Sequence, residues 1–400
     1  MPPPAPAVQR RGGSLGENRL SALDLLRADV VGSLLRPAAW REARAAFDEG
    51  RIRETEFCRI EDDAVREAIH FQESLGLGVV TDGEIRRLNF QDSFGAAVSG
   101  FEAAAATLHT THARVAGGKA MARFDMPDLH QHGPAVTRRR PTVARLKLER
   151  NVLLEEYRFA KGVAKKPVKV TLIGPDRIGQ RFAHETSKAV YADVDAFLAD
   201  VVAIERQMIS AVTAAGCRYV QIDAPGYTAY VDEPSLAAMR SRGEDPMRNF
   251  ERSLAADAAV LKGFDEVTFG IHLCRGNQNS MWHREGHYDA IAERLFNALP
   301  HRRFLLEYDS PRSGSFEPLR FVPKGKVCVL GLVSTKVAEL ETADALARRI
   351  DEAARYLPLD QLALSPQCGF ASDVVGNRIT EDDQKRKLEV VVETARRVWA

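Results

Sequence analysis

Glu266-Val267-Thr268-Phe269-Gly270-Ile271-His272-Leu273-Cys274-Arg275-Gly276-Asn277 decides how the rest of the chain is read. Its β-branched and aromatic run predicts a buried strand, stopped at Gly276-Asn277. Residues two apart on a strand project to the same side. His272 and Cys274 therefore present an imidazole and a thiol together at the strand's carboxyl end. Such a pair is half of a tetrahedral zinc site. The plainer alternative is a satisfied histidine beside a small buried hydrophobe.

The whole sequence limits what this strand can belong to. Four hundred residues is long for a single core but normal for a (β/α)8 barrel with insertions. A net charge of +1, with no basic stripe carrying interleaved aromatics, argues against nucleic-acid binding. No apolar run approaches the roughly 18 residues a membrane helix needs. The Pro/Gly-rich start, residues 1–20, reads as a disordered tail and lacks the apolar segment of a signal peptide. Five widely spaced cysteines, Cys58, Cys217, Cys274, Cys328 and Cys368, do not make a disulfide framework, so a reducing cytoplasm is expected.

Either side of the opening strand, short apolar runs alternate with helical periodicity. Asp29 to Pro37 reads as a first strand, breaking at Gly32-Ser33. Helical spacing from Trp40 to Gly76 follows, and then Leu77 to Glu84, a strand ending in carboxylates. Residues 88–165 interrupt the rhythm with Gly117-Gly118, four histidines (His109, His112, His130, His132), the basic run Arg138-Arg139-Arg140 and a helix around Asn151 to Ala164. We read this segment as an inserted hairpin plus helix within one catalytic domain, 21–400. Its histidines lack ligand spacing and read as solvated. Further strands are expected at 168–175, 219–225, 304–309, 327–336 and 361–370, with helices at about 193–216, 248–261, before Leu299, at 343–356 and at the end of the chain.

Eight strands separated by helices predict a parallel sheet, and eight of them an α/β (β/α)8 TIM barrel with the insertion after its second strand. An open doubly wound sheet is disfavoured because no Gly-x-Gly-x-x-Gly follows the first strand. Strand after strand ends in a reactive group: Ser33, Asp82 and Glu84, Asp223, His272 and Cys274, Glu307 and Asp309, Ser334, Cys368. In a barrel these ends share one face. His272, Cys274, Glu307 and Cys368 then supply one nitrogen, two sulfurs and one carboxylate oxygen, a four-ligand zinc set. Cys58, Cys217 and Cys328 read as packing residues.

Thiolate-rich zinc suits a bound thiol better than an activated water. Zinc lowers the pKa of a substrate thiol and presents it as the nucleophilic thiolate. Glu84 and Asp223 are placed to hold the ammonium of an amino-acid thiol, if Asp223 is not a helix cap and Glu84 not an ion-pair partner of Arg86 or Arg87.

In order, Val31-Gly32-Ser33, Asp82-Gly83-Glu84, Ile173-Gly174-Pro175, Gln221-Ile222-Asp223, His272-Leu273-Cys274, Glu307 and Pro366-Gln367-Cys368-Gly369 resemble the C-terminal catalytic barrel of cobalamin-independent methionine synthase. The resemblance runs from about Val30 to the end. It implies zinc on His272, Cys274, Glu307 and Cys368, the homocysteine amino group on Glu84 and Asp223, and its carboxylate at Gly32-Ser33. The implied reaction is methyl transfer from a methyl donor to the homocysteine thiolate, giving methionine. Three departures bear on the donor. There is no room for the family's additional N-terminal barrel. Ala224 stands where the family continues with Glu. Leu332-Val333-Ser334-Thr335-Lys336 stands where the family places a histidine. Folate, a methylcorrinoid or a simpler methylated compound remain open as donors. The short form also resembles zinc-dependent epoxyalkane:coenzyme M transferases, whose sulfonate thiol calls for cations such as Arg36, Arg86, Arg87, Arg275 and Lys336. A non-catalytic, zinc-stabilised binding protein is the third reading; a chain able to bury a large core without metal has less need of structural zinc.

Overall fold

A computed structural model of the chain describes residues 22–23, 25–102 and 141–400. The tail 1–20, the four histidines of the insertion, Gly117-Gly118 and Arg138-Arg139-Arg140 lie outside the described residues. Six strands form one parallel sheet in chain order: β3 Lys169–Ile173, β4 Tyr219–Asp223, β5 Thr268–Leu273, β6 Arg303–Glu307, β7 Val327–Val333 and β8 Leu362–Pro366. Every residue of these six strands is buried. Continuous apolar runs are what a parallel sheet covered on both faces requires.

Helices connect the strands. Val194–Ala214 starts at Asp193, whose carboxylate accepts the Ala196 amide, and Glu381–Trp399 starts at a capping box of Thr380 and Asp383; both devices satisfy amides that have no partner within the helix. Two departures from expectation lie here. The helical stretch after Trp40 is two helices, Ala38–Asp48 and Glu54–Ser74. They part at Gly50, whose φ of 71° is open to glycine at little cost. A helix at Glu233–Ser241, too short to show clear periodicity, precedes the expected one at Pro246–Leu261.

The first two expected strands are each reduced to one parallel bridge, Ala28 to Leu364 of β8 and Val80 to Val168 just before β3. Side chains occupy the backbone groups a ladder would use. Lys169 Nζ donates to the Val30 carbonyl and Gln221 Nε2 to that of Val31 (2.8 Å). The Gln72 amide serves Thr81 on both sides, accepting from its N–H (3.0 Å) and donating to its carbonyl (2.8 Å). These outer segments also meet each other, Leu34 N–H to the Gly83 carbonyl (2.9 Å) and Thr81 Oγ1 to that of Gly32 (2.7 Å). Within the insertion, β1 Val98–Phe101 and β2 Thr142–Leu148 pair antiparallel, and a helix at Val152–Val163 is capped by Asn151.

Candidate metal and substrate site

Sheet register assembles the site. Asp223, the last residue of β4, lies opposite His272 in β5, so a carboxylate and an imidazole are neighbours by construction. Cys274 follows β5 by one residue and Cys368 follows β8 by two. His272, Cys274 and Cys368 are all buried, and one ligand atom of each lies within 4.8 Å of those of the other two.

The surroundings of these three fit a metal. Asp223 Oδ1 lies 3.2 Å from His272 Nδ1, the carboxylate–histidine pairing that fixes a ligating imidazole's tautomer. With Nδ1–H donating there, Nε2 keeps a lone pair and faces the Gln367 carbonyl at 3.4 Å. Two facing acceptors repel unless a proton or a cation lies between them. Burial opposes an imidazolium at His272, but the Cys274 thiolate and Asp223 outweigh it and raise its pKa. A hydrogen bond from the Cys368 thiol, opposed by burial and helped by His272, brings Cys274 down to about 6. That bond and burial push Cys368 well up. One thiolate and one thiol sharing a proton beside a histidine is a donor set that would lose that proton to solvent on binding a soft divalent cation.

Glu307, the fourth ligand expected from sequence, closes β6 but falls outside this triplet. Its Oε2 accepts the Arg275 amide (2.5 Å), its Oε1 accepts Arg312 (2.6 Å), and Lys336 Nζ stands 3.7 Å away. Burial opposes its charge, yet these cations hold its pKa down to about 2. Its negative charge acts on both thiols, so it borders the triplet as a fixed anion.

Ser33, Glu84 and Asp223 line, with His272, Cys274 and Cys368, one cavity of about 90 Å³. Gly32 does not line it but shapes it: a Cβ there would stand 2.5 Å from Glu84 Oε1 and 2.9 Å from Thr171 Cγ2. Ser33 Oγ accepts the Ala371 amide (3.3 Å), which joins the first segment to the loop after β8. Glu84 is held at a φ of 53°, a conformation that costs a non-glycine residue about 1–3 kcal/mol. It is fixed by Asp82, which accepts its amide (2.9 Å), and by Arg36, which donates to its carbonyl (2.6 Å). Its carboxylate accepts from Thr171 (2.8 Å) and lies 3.8 Å from Arg87. Burial, opposed by Arg87 and aided by Asp223, raises its pKa to about 7. Asp223 caps no helix with its side chain: the short helix at Pro225–Tyr230 has Ala224 at its cap.

The cations named from sequence are engaged elsewhere. Arg36 donates to the backbone carbonyls of Leu34, Ala371, Glu84 and Arg87. Arg86 pairs with Glu61 and Asp62, and Arg87 grips Glu156 (2.6 Å). Arg275 donates to Gly286, Tyr288 and the Glu307 carbonyl, and Lys336 faces Glu307. None of the five lines the cavity; Arg177 and Arg284, not singled out in the sequence, do. Asn277 was also missed. It donates to the Gly369 carbonyl (2.6 Å) and accepts from Asn377 (2.9 Å), tying the loop of Cys274 to that of Cys368. Its place directly after Gly276 carried a signal, which reads equally well as a plain strand stop.

This arrangement has counterparts in other proteins. A family model described as the catalytic domain of cobalamin-independent synthase matches residues 26–116 and 136–396. YxjH of Bacillus subtilis, itself uncharacterized, is 35% identical over 382 residues, covering 93% of this chain and 94% of its own. The methionine synthase of Pyrococcus abyssi is 24% identical over 351 residues, 87% of each chain. A Listeria monocytogenes crystal structure, determined as a candidate vitamin-B12-independent methionine synthase, superposes with a TM-score of 0.68 at 26% identity. It covers 94% of this chain and 98% of its own. The B12-independent methionine synthase of Shewanella sp. W3-18-1, at 17% identity, shares the fold with a TM-score of 0.68 over 94% of this chain and 97% of its own. Among the described residues no helix is long and apolar enough to cross a membrane. The chain belongs to the cobalamin-independent methionine synthase family, a family of methyltransferases.

Proposed function

We propose that this protein is a zinc-dependent methyltransferase acting on homocysteine, built on a closed (β/α)8 barrel whose first and second strands are the short bridged segments at Ala28 and Val80. One observation carries the reading: a buried His/Cys/Cys triplet and two carboxylates suited to an ammonium group, Glu84 and Asp223, open into the same cavity. Methionine synthases among the relatives support the choice of thiol.

His272, Cys274 and Cys368 would hold the zinc, with Glu307 beside them as fourth ligand or as a neighbouring anion. When bound, zinc lowers the pKa of a thiol so that it is nucleophilic at neutral pH. Everything else is done by the chain. Asp223 keeps His272 in the Nδ1–H tautomer. Glu84 and Asp223 receive the substrate ammonium, and Gly32-Ser33 its carboxylate. Gly32 leaves Glu84 the room to do so. Burial of His272, Cys274, Cys368, Glu84 and Asp223 keeps water from these groups, which strengthens each of these charge contacts. The substrate thiol gives up its proton to solvent on binding, and the resulting thiolate then attacks the donor methyl group; the donor departs with the electron pair of its broken bond to methyl.

Isothermal titration of the zinc-loaded protein with homocysteine and, separately, with 2-mercaptoethanesulfonate tests the reading. Homocysteine should bind with release of a proton at neutral pH, and the sulfonate thiol far more weakly. Preferential binding of the sulfonate thiol would move the protein to another alkyl transfer. Binding of neither would overturn the proposal.

A further inference from the structure

Tyr219, Gln221 and Asp223 alternate along β4, so their side chains share one side of the sheet. All three are buried and all carry polar groups, where a (β/α)8 interior is ordinarily filled by branched apolar side chains. At the amino ends of the strands, away from the metal site, Tyr219 Oη (2.7 Å), Arg303 Nε (3.2 Å) and Lys169 Nζ (2.9 Å) donate to Asp29. Asp29, Lys169 and Arg303 have no exposed side-chain surface. Burial works against the Asp29 carboxylate, but Lys169 and Arg303 outweigh it and hold its pKa down. Charges this deep are costly unless each is paired and hydrogen-bonded, and here the bonding runs on to the metal site.

Lys169 Nζ meets three oxygens: Asp29 Oδ1, the Val30 carbonyl and Gln221 Oε1 (2.9 Å). An ammonium has three N–H groups and no acceptor. All three are used, and the Gln221 amide must turn its oxygen to Lys169. Its nitrogen then faces the other way, and its two hydrogens go to the Val31 carbonyl and to Asp223 Oδ1 (both 2.8 Å). Flipping the amide would set N–H against N–H at Lys169 and oxygen against oxygen at Val31 and Asp223. Asp223 Oδ1 also faces His272 Nδ1 at 3.2 Å. The donors therefore point one way, from Lys169 through Gln221 to the carboxylate, and the imidazole meets an acceptor.

We propose that Lys169 and Gln221 are positioning residues for the metal centre: Lys169 fixes which way the Gln221 amide points, that amide holds Asp223 as an acceptor, and Asp223 keeps the proton of His272 on Nδ1 and its Nε2 lone pair free for the metal. This rests on the function proposed above in taking His272 as a zinc ligand. The same two side chains replace the ladder of the first strand, so the packing of that segment and the tautomer of a ligand on β5 are set by one device.

Lys169→Met, Gln221→Met and Gln221→Glu test this in the full chain. Gln221→Glu keeps an oxygen for Lys169 and turns the donor facing Asp223 into an acceptor. In the metal-free protein, nitrogen NMR of labelled histidine, at a pH where the His272 ring is neutral, should show the Nδ1–H form in the wild type and a mixture with Nε2–H in the variants. Zinc affinity, from competition with a chromophoric chelator, should fall roughly three- to tenfold, below most of the 10–100-fold range of direct partners of a ligand, because these residues act one step removed. In an Asp223→Ala background the same substitutions should change zinc affinity by less than about twofold, which a general loosening of the interior would not produce. The Gln221 variants leave Asp29 its three partners, so they carry the test if Lys169→Met does not fold. An Nε2–H form in the wild type, an Nδ1–H form kept in the folded variants, or a loss of zinc affinity that persists undiminished beside Asp223→Ala overturns the proposal. Failure of the wild type to bind homocysteine would instead refute the proposed function, with the tautomer result standing apart from it.

Discussion

Replacing Asp223 by Asn separates charge from geometry at the centre of the site. Asp223 Oδ1 accepts from Gln221 Nε2 (2.8 Å) and faces His272 Nδ1 (3.2 Å). An asparagine with its carbonyl oxygen in that place keeps both hydrogen bonds and nearly the same volume. Only the negative charge is lost. A hydrogen bond to a charged group contributes about 1.5–3 kcal/mol and a neutral one about 0.5–1.5. The loss at His272 is then about 1–1.5 kcal/mol, or roughly five- to twelvefold in zinc affinity at 1.4 kcal/mol per factor of ten. That lies at the lower end of the 10–100-fold typical for partners of ligating residues. Competition for zinc against a chromophoric chelator at fixed pH measures it. Homocysteine affinity of the zinc-loaded variant should fall as well, because one of two carboxylates facing its ammonium has become neutral. Unchanged zinc affinity in a folded Asp223→Asn protein would refute the idea that this carboxylate sets the imidazole for a metal.

Other outcomes follow from the same geometry. Cys368→Ser should lose tightly bound zinc and methyl transfer, while its metal-free form melts within about 4 °C of the metal-free wild type; full zinc content by elemental analysis would remove Cys368 from the ligand set. Glu84, with its pKa raised to about 7, is largely neutral at pH 6 and ionised at pH 8, so homocysteine binding should strengthen over that interval. In Glu84→Gln the rise should flatten, as pH-dependent calorimetry will show. The same shift acts on stability in the opposite sense: the folded state holds this proton more tightly than the unfolded chain, so stability contributed by Glu84 is complete below about pH 4.5 and declines as pH rises through about 7. Glu205 is fully buried in Val194–Ala214 with neither carboxyl oxygen hydrogen-bonded, and burial followed by Asp257 pushes its pKa well up. Glu205→Met should stabilise the protein by about 1–3 kcal/mol, the cost of an unsatisfied buried polar group; a lower melting temperature would show that the carboxyl has a role.

Much of this was legible in the sequence, and the limits have physical causes. His272 and Cys274 were readable because alternation along a strand is a strict rule. Cys368 was readable because Pro366 and Gly369 mark a turn at a strand end. The β5 to β8 strands appeared as apolar runs because a doubly covered parallel sheet leaves no polar face. The first two strands misled in length: whether backbone groups at Val30, Val31 and Thr81 join a ladder is settled by Lys169, Gln221 and Gln72, which are distant in sequence. Glu307 was correctly placed at a strand end, but the arginines and lysine that gather around it come from three different loops. The cations were the least legible. A long flexible side chain can reach in many directions, so strand-end position said nothing about whether Arg36 or Arg87 would turn into the cavity. Arg177 and Arg284 do line it, from a short helix and a loop that carry no periodicity.

If His272, Cys274 and Cys368 hold a zinc ion, a substrate thiol joins them as a further sulfur ligand. X-ray absorption at the zinc edge, recorded with and without homocysteine, counts those sulfurs. Two sulfur neighbours at about 2.3 Å are expected in the zinc-loaded protein and three after homocysteine is added. A first shell of nitrogen and oxygen alone, or a sulfur count that homocysteine leaves unchanged, would contradict that expectation.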